Sequence, residues 1–115
     1  MKLFMFAIMA TVSWLVYVPV SHSADIAQNI CEYVAVDEKS RLRKVLKANR
    51  LKLRKVFKDI SCNGDNLLIF AAKKNALEIG DLLIKKLPKS VVEAEIANLT
   101  PLSPTLVGLA QERIK

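Results

Sequence analysis

Two thiols and one block of charge are the residues here that could do chemistry. The 115-residue chain has two cysteines, Cys31 and Cys62, and a single histidine, His22. Between Lys39 and Lys58 stand ten bases and no acid: Lys39, Arg41, Arg43, Lys44, Lys47, Arg50, Lys52, Arg54, Lys55 and Lys58. Such a run makes a strongly positive surface, which draws polyanions by long-range steering and counterion release. The same residues also suit the solvated faces of two helices, their long stems covering the core edge. A solvated helix ordinarily interleaves acids for i,i+4 pairs, and this run forgoes them.

Catalytic arrangements are poorly served. Ser40, Ser61, Ser90 and Ser103 have no histidine base if the segment holding His22 is removed, and no apolar flank marks a lysine as desolvated enough to act as one. Glu93 and Glu95 are two apart on a predicted helix, so they face different ways and make a poor acid/base pair. No enzyme activity is expected; the catalytic alternative is a hydrolase without histidine. A zinc site needs about four ligands, which two cysteines and scattered carboxylates do not supply. Neither a metal nor a cofactor is expected.

The role of the thiols depends on compartment. "MKLFMFAIMATVSWLVYVPVSHSA" carries one lysine, an apolar run from Leu3 to Val18, Pro19 and then small residues, the layout of a secretory signal peptide. Cleavage after Ser23 puts Ser21 and Ser23 at the recognised positions. The competing reading is an uncleaved inner-membrane anchor, because Leu3 to Val20 approaches the ~20 apolar residues that span a bilayer. Removal of residues 1–23 leaves Tyr33, Phe57 and Phe70 as the aromatics, and a chain of about ninety residues with a modest core. In an oxidising compartment Cys31 and Cys62 are candidates for one disulfide. Closing a loop of about thirty residues contributes roughly 3.5 kcal/mol in the chain-entropy account, less any native strain.

Apolar spacing is helical throughout the rest, with no alternating strand pattern. A first helix is predicted over 25–36, with Asp25 as N-cap. Asp37 is placed to cap a second, in which Leu42, Val45 and Leu46 form the stripe. Leu53, Val56, Phe57 and Ile60 form a third stripe in phase with the second, so one helix over 38–60 is open to the chain. Asn49 would then fall on its apolar face, and a break near 48–50 is expected instead. Asn63 and Gly64 suit a positive-φ turn, and Asp65 is placed to cap a helix over 66–74 with Leu68, Ala71 and Ala72 inward and Phe70 partly so. "NALE" reads as a capping box with Asn75 at N-cap, opening a helix that buries Ile79, Leu82 and Leu83, with Leu87 a further candidate, and closes at Pro88. Small Ala71, Ala72 and Gly80 permit these two helices to approach closely. "SVVE" caps a further helix to about Asn98, "NLTPLSPT" is a proline-broken linker, and Ser103 and Pro104 open a last helix with Leu106, Leu109, Ala110 and Ile114 inward. That tail is free to dock, swing or bind a partner.

"GDNLLIFAAKKNALEIGDLLI", within residues 64–86, resembles one ankyrin repeat in its glycine turn, Leu-x-x-Ala-Ala helix and paired leucines. Asn66 and Leu67 replace its Thr-Pro, Ile69 its histidine, and no second copy follows, so the resemblance implies an ankyrin-like helical hairpin and not a solenoid. A second resemblance covers about residues 25–90. "NICEYVAVDEKSRLRKVLKANRLKLRKVFKDISCNGDNLLIFAA" and "KKLPKS" are similar to a family of short exported Gram-negative proteins, a domain of unknown function (number 3718) with a Cys-Asn-Gly hallmark, here Cys62, Asn63 and Gly64. Cys31 stands where the family's first cysteine does. The resemblance implies a periplasmic setting and supports the cysteine pairing, and it brings no activity.

The expectation is a small all-α, disulfide-stapled domain over 24–90, preceded by a cleaved signal peptide over 1–23 and followed by a helical tail over 91–115. It works by binding, with Lys39 to Lys58 as the contact surface. In a periplasm the available anions are lipid headgroups, lipopolysaccharide, acidic glycans and acidic proteins. Nucleic acid is disfavoured, because export separates it from the chain and three aromatics make a poor stacking platform. The alternatives are interaction through the last helix, or a structural or envelope-stress role without a ligand site.

Overall fold

The computed structural model describes residues 22–115, with side chains from Asp25 onward. The expected signal peptide lies outside the described residues except for His22 and Ser23, which open the first helix. The described residues form seven α-helices and no strand: α1 (His22–Ala35), α2 (Lys39–Ala48), α3 (Leu53–Asp59), α4 (Leu67–Lys73), α5 (Leu77–Lys86), α6 (Lys89–Leu99) and α7 (Pro104–Ile114). Among them no helix is long and apolar enough to cross a membrane.

The core is built around α4. Leu67, Leu68, Ile69, Phe70, Ala71 and Ala72 are all buried, where periodicity alone put Leu68, Ala71 and Ala72 inward and Phe70 partly so. A helix apolar on every side must be surrounded, and α1, α5 and α6 pack against this one. Each helix contributes to the same core: Ile30 and Val34 from α1, Leu42 from α2, Val56 from α3, Ile79 and Leu83 from α5, Val92 and Leu99 from α6, Leu106 and Ala110 from α7. Of the fates open to the tail, docking is the one observed. α7 packs on α5 and α6, Leu106 is fully buried, and a Cβ on Gly80 would lie 2.7 Å from its methyl carbons. Gly80 therefore makes room for α7, where the sequence suggested that it eased the contact between α4 and α5. Ser103 caps α7 as expected, its hydroxyl accepting from the Leu106 N–H at 3.2 Å ahead of Pro104.

The reversals between helices repeat one device. After α1 the Asp37 N–H donates to Val34 O and the Glu38 N–H to Tyr33 O; after α2 the Arg50 N–H donates to Lys47 O and the Leu51 N–H to Leu46 O; after α4 the Asn75 N–H donates to Ala72 O and the Ala76 N–H to Ala71 O. These are Schellman motifs, which require a left-handed residue just past the helix. Asp37, Arg50 and Asn75 have φ of 57°, 54° and 59°. The second of them produces the expected break between α2 and α3, and the Asn49 amide is used up locally, donating to Val45 O at 2.8 Å.

Several expected caps are assigned differently. Asp25 lies in the first turn of α1 rather than at its cap, where a carboxylate still favours the helix dipole. Asn75 terminates α4 instead of starting α5, whose own N-cap, Ala76, has no side chain to offer. The acceptor comes from Asp37, expected to cap α2. Its carboxylate accepts from the Ile79 N–H at 2.9 Å and the Glu78 N–H at 3.2 Å, across 42 and 41 residues of chain. Asn66, not Asp65, caps α4, accepting from the Ile69 N–H at 2.9 Å, and Asp65 is paired with Lys73 at 2.9 Å. Pro88, not Ser90, precedes α6, with no side-chain cap.

Candidate basic groove

The thiols pair: Cys31 in α1 is bonded to Cys62, their Cα atoms 5.7 Å apart. Cys62 opens a two-residue hairpin, bonded both ways to Asp65 at 2.8 and 3.0 Å, with Asn63 at φ 54° and Gly64 at φ 81°. Two consecutive positive-φ residues are what a type I′ turn demands, and Asn-Gly supplies them at low cost. The bridge thus fastens this turn to α1, and α2 and α3 lie on the stretch of chain between its two ends.

Those two helices carry the basic run. Their apolar stripes face the core through Leu42, Leu46 and Val56, which forces the intervening bases outward. Nine of the ten are exposed, and Lys39 is half-buried. Two have a carboxylate within reach: Lys39 lies 3.9 Å from Glu78 and Lys55 lies 3.2 Å from Asp59. Both pairs are open to solvent and so contribute little. The other ion pairs among the described residues, Asp65 with Lys73, Asp81 with Lys85 and Glu112 with Lys115, involve none of the ten.

The bases of the run are distributed over more than one hollow. Lys39, Arg43, Lys44 and Lys47 line a groove of about 630 Å³ beside α5, joined by Lys86 from that helix. Its floor is Leu46, Leu51, Leu53 and Leu82. Leu46 and Leu51 are the two apolar positions that a Schellman motif brings together, so the cap that ends α2 also lays down half of this floor. Arg41 stands apart, in a separate hollow with Tyr33, Lys44, Val45 and Ala48. Arg50, Lys52, Arg54, Lys55 and Lys58 lie outside the groove. Lys86 and Leu82 belong to it although they are far along the chain. "KK" at 85–86 was visible as charge, but only the packing of α5 carries it to α2.

Residues 30–94 match the profile of a family described as Protein of unknown function (DUF3718). The chain belongs to that family. The matched stretch contains both cysteines, the Asn-Gly turn, α2 to α5 and therefore every groove residue, and it ends within α6; α7 lies beyond it. No curated protein and no solved structure matches the chain.

Proposed function

We propose that this DUF3718 protein is an exported, non-catalytic binding module that holds an anionic partner on its α2–α3 face. One observation carries the reading: eight of the ten bases between Lys39 and Lys58 have no carboxylate within ion-pair distance among the described residues. Like charges spaced i,i+4, such as Arg43 with Lys47, cost a few tenths of a kcal/mol each. A surface that keeps such a cost, uncompensated by acids that neighbouring positions could supply, is explained by a ligand that neutralises it. The Cys31–Cys62 disulfide supports export, because such bonds persist in oxidising compartments. Interaction through α7 has less room, since Leu106 and Ala110 are already buried within the chain.

The test is charge reversal at Arg43, Lys47, Arg54 and Lys55, all exposed. The variant is expected to lose binding to anionic vesicles, lipopolysaccharide and a sulfated glycan while its helicity and melting temperature stay nearly unchanged. Affinity of the unaltered protein is expected to fall steeply between low and physiological salt, as counterion release requires. An unaltered protein that binds none of these probes at low salt leaves the solvated-face reading standing.

A further inference from the structure

Resting on that reading, we infer that the groove between α2 and α5 is a docking site for an acidic protein segment bearing one large apolar side chain. Three of the groove's five cations form a row, the first of them, Lys39, lying 3.9 Å from Glu78. Lys39, Arg43 and Lys47 succeed one another at four-residue steps on α2, which is about 6 Å per step and about 12 Å end to end. Lys86 adds a charge from α5. A single phosphate or carboxylate headgroup is much smaller than this row and would leave most of it unneutralised. Carboxylates repeating along a helical segment have the same spacing of about 6 Å, and the Arg43 guanidinium is suited to bidentate carboxylate contact.

The floor decides between the remaining anions. Leu46 is 8% exposed, and Leu51, Leu53 and Leu82 are half-buried. Together the four offer roughly the apolar surface of one side chain, too little for an acyl chain, whose other methylenes would stay in water at about 0.8 kcal/mol each. A polyphosphate or acidic glycan satisfies the row but has nothing for the leucines. An acidic segment with one leucine or aromatic among its carboxylates uses both, the apolar residue serving as anchor and the acids as rim.

The experiment uses the oxidised protein and two synthetic peptides of about twelve residues, ~18 Å as a helix. One carries glutamates at four-residue spacing around a central leucine, and the other has that leucine replaced by serine. The leucine peptide is expected to bind tenfold or more tightly, the worth of burying one aliphatic side chain. Lys86→Glu is expected to weaken it as much as Arg43→Glu does, whereas Lys58→Glu, the same charge change outside the groove, has a clearly smaller effect. Equal affinity of the two peptides, or equal effects of Lys86→Glu and Lys58→Glu, overturns the docking site while a sulfated glycan still binding in a salt-sensitive way keeps the broader reading. Failure of the peptides, the glycan, anionic vesicles and lipopolysaccharide alike at low salt overturns both.

Discussion

Asp37 should be the most consequential loop carboxylate among the described residues, and replacing it separates the terms that hold α1, α2 and α5 together. Its side chain accepts from two N–H groups at the start of α5, a helix whose own N-cap residue is an alanine. Losing a capping acceptor costs about 0.5–2 kcal/mol. Two bonds to one charged group at a half-buried site place Asp37→Ala near the top of that range, about 2 kcal/mol. Asp37→Asn keeps one acceptor oxygen and a residue type at ease with φ of 57°, but the two N–H groups bond different oxygens, so it loses one bond as well as the favourable charge at the helix N-terminus, together about 1 kcal/mol. Asp37→Gly loses both bonds but relieves left-handed strain of about 1 kcal/mol, so it costs less than alanine. A domain of this size loses about 4–8 °C of melting temperature per kcal/mol, which gives about 8–16 °C for alanine. Thermal and urea melts followed by circular dichroism measure the series. An alanine or a glycine variant melting within about 2 °C of the unaltered protein would refute the assignment of Asp37 as the cap of α5.

Gly80→Ala is expected to destabilise by about 1 kcal/mol, because overpacking a buried contact costs more than alanine gains in helix propensity. In a Leu106→Ala background the same change should become neutral or stabilising, which a double-mutant cycle by urea melting reads directly. Intact-mass measurement of the oxidised protein should find two hydrogens fewer than in the reduced form, and Cys31→Ser should cost roughly 2–4 kcal/mol in urea unfolding. N-terminal sequencing of exported protein should begin near Ala24, and recovery in the inner-membrane fraction with residues 1–23 retained would favour the anchor reading.

Local signals in the sequence located what local chemistry controls. Asn63-Gly64 demanded positive φ and has it, Ser103-Pro104 opens α7, and the helix break at Asn49 follows from an amide that the core could not accept. The misassigned caps share one cause. Asn75 suits an N-cap and a left-handed C-terminal position equally well, and its neighbours do not say which end of a helix it serves. Asp37 is a plausible cap for the helix beside it, yet the N–H groups it satisfies lie more than forty residues on, because a buried donor takes whatever acceptor the packing delivers. The basic run was legible as charge; its division was not. Whether Arg41 shares a surface with Lys47, or Lys86 with Arg43, depends on where α5 sits, and spacing within α2 contains no information on that.

The placement of the disulfide bears on how so much like charge can be kept. Cys31 and Cys62 enclose α2 and α3, so all ten bases are members of one covalent ring. Repulsion on an open arm is relieved by the arm peeling from the core and diluting its charge into solvent. A closed ring has far fewer extended states to escape into, so the same repulsion has little to gain. An uncrosslinked chain would have to hold this face down with interleaved acids, and each acid added would cancel one positive charge presented to a ligand. Ring closure removes that compromise: charge density and foldedness are set by different bonds, and the surface can stay almost free of acid.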